Sequence, residues 1–328
     1  WCAITGTNGK TPATSLTNEL LRASGMPSVA VGNIGNAPIH EVDRRRPNEW
    51  FVAELSSYQI ATTSELHPRV AVLLNITPDH LSWHRTHENY ALAKIKLFEN
   101  MGPEDLCIVN VEDEGIASFG DRIYIPGRRV LKLGLHDAGG DDAAFVRDGM
   151  LAVRLSGSEH GLVRIEELKI AGAHNVLDAL AASAAALACG ASVEGVRRGL
   201  VAFAPLEHRI EPAGIVDGVR YVNDSKATNT DAVEAALTAF PDDRVILLLG
   251  GADKGTDLSD FMDMVVSRAS GVVCFGAARE RFRSRACGRL ERHRYCGGRR
   301  PRRCDRRRPV ARAARRRRAA FARLRILR

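Results

Sequence analysis

Several things are missing from this 328-residue chain, and each absence removes a class of function. No apolar run approaches the roughly twenty residues of a membrane-spanning helix, and no basic-then-apolar leader opens the chain, so membrane and secreted classes are disfavoured. The seven cysteines lack metal-ligand spacing and read as free thiols of a cytosolic protein. There is no solenoid-type repeat. Lysine is absent after Lys254, although residues 279–328 contain 22 Arg against 3 acidic residues. The other 278 residues carry 25 basic against 36 acidic side chains, so the body is acidic and the net charge of +8 belongs to the last fifty residues. An initiating methionine is also missing. Trp1 stands directly on a strand, and the chain reads as a fragment lacking an N-terminal piece.

The basic tail has two readings. Like-charge blocks serve as nucleic-acid-binding arms, but this one has no aromatic interleaving and no recognisable module. Arginine runs without lysine also arise when a GC-rich gene is read out of frame. Residues 316–328 admit codons that, shifted by one nucleotide, spell D-A-V-L-L-S-P-A-C-A-S-F. The second reading is preferred, with the tail beginning between Gly276 and Arg285 and expected to be disordered.

The strongest positive signal is at the start. The apolar Cys2-Ala3-Ile4 runs into Thr5-Gly6-Thr7-Asn8-Gly9-Lys10-Thr11, and a helical pattern follows. Strand, glycine turn, Gly-Lys-Thr and helix form the layout of a phosphate-cradling loop: backbone N–H groups face phosphates, Lys10 supplies charge, and the Thr11 hydroxyl is a Mg²⁺ ligand. The general pattern wants glycine where Ile4 stands, so this is a narrower variant.

Apolar runs at Trp50–Leu55, Arg69–Asn75 and Leu106–Asn110 alternate with helical patterns at Thr14–Ser24, Glu88–Glu99 and Asn175–Ala188. That alternation predicts an α/β fold with a mostly parallel sheet and ligands at the carboxyl ends of strands. After Ala204-Pro205 the pattern restarts: strands at Val219–Val222, Arg244–Leu249 and Val272–Phe275, and a helix over Asp231–Phe240. The expected organisation is a P-loop-type ATPase domain (1–205), a truncated Rossmann-like α/β domain (206–278) and the tail (279–328).

Glu54 and His80 each follow a strand and could serve a nucleotide's Mg²⁺ or simply cap their own loops. On pattern alone Lys94 is a solvated or snorkelling lysine. Lys226, Thr228 and Lys254 close strands of the second domain, where cations suit a carboxylate or phosphate. His208-Arg209 lies near the junction. Surface lysines and a structural ion pair remain open for these.

Taken together the segments resemble the Mur ligase family, and most nearly its D-glutamate-adding members. The matching strings are GTNGKT (Gly6–Thr11), GNIG (Gly32–Gly35), ELSSYQ (Glu54–Gln59), NITPDHL (Asn75–Leu81), YALAK (Tyr90–Lys94), HNVLDALAA (His174–Ala182), HRIE (His208–Glu211), NDSKATN (Asn223–Asn229) and GGADKG (Gly250–Gly255). The resemblance implies ATP, two Mg²⁺ sites, UDP-N-acetylmuramoyl-L-alanine and D-glutamate, amide formation through an acyl phosphate, and a cytoplasmic monomer that binds neither membrane nor nucleic acid. Sister Mur-type and folylpolyglutamate-type ligases are the alternatives. By this resemblance Gly6, Thr7, Asn8, Gly9, Lys10 and Thr11 hold phosphate, with Thr11, Glu54, His80 and a CO₂-carbamylated Lys94 on metal. Lys10, His80 and Lys94 act in catalysis. Asn175, Arg209, Asp224 and Lys226 contact nucleotide, and Asn33, Thr228 and Lys254 contact substrate.

Three departures stand out. The family's UDP-gripping N-terminal domain precedes nothing here, Pro12 and Asp178 replace Thr and Asn, and the L-S-P-A-x-x-S-x-D-x-F segment occurs only in the alternative frame. The chain is therefore expected to be catalytically impaired.

Overall fold

The computed structural model describes residues 1–252, 258–287, 295–297 and 319–326, with side chains up to residue 285. It divides into two compact units, one of residues 1–170 and 174–204, the other of 171–173 and 205–328.

The first unit runs β1 (Cys2–Thr5), α1 (Lys10–Ala23), β2 (Ser28–Gly32), α2 (Ile39–Val42), β3 (Trp50–Glu54), α3 (Ser57–Ala61), β4 (Val70–Leu73), α4 (Leu81–His84), α5 (His87–Ile95), β5 (Leu106–Asn110), α6 (Glu114–Ala117), α7 (Gly120–Ile123), β6 (Arg129–Leu133), β7 (Ala143–Arg147), β8 (Met150–Leu155), β9 (Ser158–Arg164), α8 (Ala173–Ala188) and α9 (Val193–Ala202). Its sheet has the order β2-β3-β1-β4-β5-β6-β7-β8-β9, parallel from β2 to β7 and antiparallel thereafter. β1 and β4 are buried at every position, as strands covered on both faces must be. The chain fills one side of β1 with β2 and β3, then crosses to β4, so the topological switch lies between β1 and β4. The loops after these two strands face each other there, which is where such sheets take ligands.

The expected strands and helices are present, with ends shifted by a few residues. The β7–β8–β9 meander was not anticipated. Its turns, Asp148-Gly149 and Ser156-Gly157, hold both residues at positive φ (51° and 76°; 51° and 79°), the geometry that matches a hairpin's twist.

The second unit comprises β10 (Glu211–Val216), β11 (Val219–Asp224), α10 (Thr230–Thr238), β12 (Arg244–Gly251), α11 (Ser259–Arg268), β13 (Ala269–Phe275), α12 (Arg279–Cys287), β14 (Tyr295–Gly297) and β15 (Ala319–Ile326). The strand order is β10-β11-β15-β12-β13-β14, parallel except for the β10–β11 hairpin. Val233, Leu237, Leu247, Leu249, Met262, Val265 and Cys274 form its core. Within residues 279–328 the described elements are α12, β14 and β15. β15 runs between β11 and β12, and a parallel ladder is built from backbone N–H and C=O groups that an arginine-rich segment also possesses. The remaining tail residues, and Lys254, lie outside the described residues. No described helix is long and apolar enough to cross a membrane.

Candidate functional site

The phosphate-type loop joins β1 to α1. Leu16, Leu20 and Leu21 bury one face of α1, and Gly9 is its N-cap. Gly9 sits at φ 81°, and a Cβ there would collide with the Asp178 carboxylate from α8, lying 3.1 Å from its carboxyl carbon. Only glycine satisfies both constraints. Pro12 is the third helical residue. The first ladder bond is donated by Ala13 to Gly9 O, so proline costs the helix no bond, although it removes one donor from that terminus.

The loop is laced to the segment after β4. Thr7 N–H donates to Asn75 O (3.0 Å), Asn8 N–H donates to Asn75 Oδ1 (2.8 Å), and Asn75 Nδ2 returns a bond to Asn8 O. The Thr7 and Asn8 N–H groups thus fasten the loop to Asn75. The Thr7 hydroxyl donates to Thr77 O and accepts from Thr77 N–H, and it lies 2.9 Å from the Tyr90 hydroxyl, which donates to it. Gly9, Lys10 and Thr11 form the half-buried turn opening α1.

Lys94 projects inward from α5 and is 1% exposed. Its Nζ donates to Gly6 O (2.8 Å) and lies 3.4 Å from Thr5 Oγ1 and 4.8 Å from the Tyr90 ring centre. Lys10 Nζ donates to the same Gly6 O at 2.8 Å, and to Thr7 O. Two lysine nitrogens thus share one carbonyl. Burial, and then the Lys10 charge, hold the Lys94 ammonium well below the usual lysine range, while Asp79 opposes them. The solvated-lysine reading from the helix pattern is overturned: α5 turns Tyr90 and Lys94, one helical turn apart, toward β1.

Glu54 ends β3, in register with Ile4, and is 2% exposed. Its Oε1 accepts from Asn33 Nδ2 (3.0 Å), while Oε2 is buried without a hydrogen-bond partner. An orphaned buried carboxylate oxygen at a strand end fits a cation. Gly32, at φ 93°, lets that backbone pass against Glu54 O. His80 starts α4 at φ 55°, with its ring 5.0 Å from Tyr58 and 6.2 Å from Tyr90. His84, missed in the sequence, is buried with Nε2 2.9 Å from Ser57 Oγ; burial foremost, with the nearby His80 and Lys94 charges, lowers its pKa. No group of three His, Cys, Asp or Glu suited to a metal occurs among the described residues. Mg²⁺, which needs only one or two protein carboxylates beside phosphate and water, is compatible with that donor set. Asn175 is on α8 three residues before Asp178, and the two share a helix face.

In the second unit, HRIE is tied to NDSK. Ile210 N–H donates to Asp224 Oδ1 (3.2 Å), Lys226 N–H donates to His208 O, and Asn223 Nδ2 lies 2.8 Å from His208 Nδ1. Burial pushes Asp224 up to about 6 despite the Ile210 bond and the Arg209 charge. Lys226 is exposed and Thr228 half-buried, before the Asn229 cap of α10.

The profile of the Mur ligase middle domain matches residues 4–186, and that of the Mur ligase glutamate ligase domain matches residues 208–320. The chain is 42% identical over 279 residues to the UDP-N-acetylmuramoylalanine–D-glutamate ligase of Pelotomaculum thermopropionicum, covering 84% of this chain and 59% of that protein. It is 38% identical to the ligase of the same name from Geobacillus kaustophilus, with 85% and 60% covered. It therefore spans about three fifths of the length of these relatives. Among solved structures, MurF from Acinetobacter baumannii superposes with a TM-score of 0.75 at 19% identity, covering 99% of this chain and 73% of that one. Folylpolyglutamate synthase of Mycobacterium tuberculosis, complexed with ADP and AMPPCP, gives 0.72 at 16%, covering 98% and 87%. At such identities these likenesses concern the fold alone.

Proposed function

The chain belongs to the Mur ligase family, and we propose that it carries the nucleotide-handling and ligase portion of a D-glutamate-adding member. The reaction is activation of the UDP-N-acetylmuramoyl-L-alanine carboxylate as an acyl phosphate at the expense of ATP, followed by attack of the D-glutamate amine and loss of phosphate. The names of the curated relatives and the strings ELSSYQ and SKATN support this choice over sister ligases. The observation that carries it is the convergence of Lys10 and Lys94 on Gly6 O at the carboxyl end of β1.

In this reading Lys10 swings from the loop carbonyls to phosphate, and the N-terminal turn of α1 offers Thr11. Thr11, Glu54 and His80 would hold Mg²⁺, which neutralises developing charge on the transferred phosphoryl group. Burial and the Lys10 charge disfavour the Lys94 ammonium and so favour the amine whose electron pair adds CO₂; the amine gains a carboxylate and releases one proton, which would make it a second metal ligand. Asn33 faces substrate through the side of its amide not given to Glu54. Asn175, Arg209, Asp224 and Lys226 contact nucleotide, and Thr228 and Lys254 contact D-glutamate.

The test is phosphate release from ATP by the 328-residue chain with UDP-N-acetylmuramoyl-L-alanine. Stimulation by D-glutamate, at a rate well below that of a full-length relative, is expected. Stimulation by diaminopimelate or D-alanyl-D-alanine instead would assign another branch. No stimulation together with no binding of Mg-ADP would overturn the proposal.

A further inference from the structure

Two residues of the HRIE segment hold backbone angles that their side chains disfavour: His208 has φ 66° and Ile210 φ 45°. Glycine takes such angles at little cost. A β-branched residue there is an outlier, and it persists only where its surroundings impose it. Arg209 N–H donates to Leu206 O (3.1 Å), closing a turn with His208 third, the position that takes positive φ in type II turns. His208 N–H donates to Glu211 Oε2 (2.8 Å), and His208 O accepts from Lys226 N–H (3.2 Å). Ile210 N–H donates to Asp224 Oδ1 (3.2 Å), while the Ile210 side chain packs against the core of the second unit. The residue between the two outliers is Arg209. With the backbone held on both sides of it, the turn sets the direction in which the arginine leaves the chain.

We propose that Ile210 is a positioning residue: its left-handed backbone, fastened to Asp224 and to the apolar core, aims Arg209 at the phosphates of the nucleotide. This rests on the reading above that Arg209 contacts nucleotide. Ordering a long side chain opposes binding when it happens in the complex, and does not when the fold has already done it. Relaxing the turn would therefore steady the fold and loosen the arginine.

The test compares two substitutions that lose the same packing. Ile210→Ala keeps a Cβ and with it the strain, whereas Ile210→Gly removes both. At an ordinary position the glycine variant is the less stable, because its unfolded chain is freer. Here Ile210→Gly is expected to unfold at the higher urea concentration, followed by circular dichroism. In calorimetric titration it is nonetheless expected to bind Mg-ADP about threefold or more weakly than Ile210→Ala. A purely structural role would move stability and affinity together. Adding Arg209→Ala to each variant should erase the difference in affinity between them. His208→Ala and His208→Gly form a second pair with the same expected order should the Ile210 variants not fold. A glycine variant no more stable than its alanine counterpart overturns the proposal. So does equal or tighter Mg-ADP binding by the glycine variant, or a difference in affinity that survives Arg209→Ala. Absence of Mg-ADP binding by the parent chain refutes the nucleotide reading and the aim of Arg209 with it, a distinct result, while the urea comparison still reports the strain.

Discussion

Replacing Lys94 by methionine should stabilise the protein at neutral pH. Both lysine nitrogens bond Gly6 O at 2.8 Å, so they are no farther apart than twice that distance. Two positive charges at that separation, with an effective dielectric constant of about 20, repel by about 3 kcal/mol, or about a hundredfold in the protonation equilibrium of Lys94. Burial acts in the same direction. The folded state therefore releases the Lys94 proton at lower pH than the unfolded chain, whose lysine titrates near 10.5. The unfolded state binds more protons across that window, so the cost of Lys94 is present at neutral pH and fades as pH rises toward 10.5. Methionine removes the cost but also the bonds to Gly6 O and Thr5 Oγ1, worth about 1 kcal/mol, and Gly6 O keeps Lys10. The expected net gain for Lys94→Met is about 2 kcal/mol at pH 7 in bicarbonate-free buffer, disappearing by pH 10. Urea titration followed by tryptophan fluorescence is suitable, because Trp1, Trp50 and Trp83 are all in the first unit. Bicarbonate should stabilise the parent but not the variant. Equal stability at pH 7, or a loss that does not vary with pH, would refute the reasoning.

Thr7→Val keeps the shape of the side chain but takes the acceptor from Thr77 N–H and removes the bond from the Tyr90 hydroxyl; it should cost about 1–3 kcal/mol in the same fluorescence titration, with Thr7→Ser close to the parent. Asp224 is raised to about 6 from an ordinary 3.8, so the folded state holds its proton where the unfolded chain has lost it, and stability falls as pH rises between these values. Asp224→Asn should accordingly gain up to about 3 kcal/mol at pH 8 and nothing at pH 4, followed by circular dichroism in urea, and should lose affinity for nucleotide.

The phosphate loop was legible because its signal is local: an apolar strand, Gly-Lys-Thr and a helix adjoin in sequence. Glu54 and His80 were legible as strand-end residues, but their company was not. Lys94 was misread by pattern because its bond acceptor, Gly6 O, lies 88 positions away, and YALAK gives no sign of which face α5 buries. Family resemblance, not periodicity, singled it out. The bonds from the Thr7 and Asn8 amides to Asn75 were not legible, because that partner becomes visible only when β4 is set beside β1. The hairpin turns Asp148-Gly149, Ser156-Gly157 and Asp217-Gly218 did carry a readable signal, since each pair adopts the positive φ values such dipeptides favour. The place of β15 was not legible in the tail, because composition speaks for side chains whereas β15 pairs through its backbone.

Calorimetric titration of Mg-ADP into the 328-residue chain and its Lys10→Ala variant bears most directly on the nucleotide site. Saturable binding by the parent, weakened about tenfold or more by Lys10→Ala, is the predicted result. Absence of binding, or binding that ignores the loss of Lys10, would contradict it.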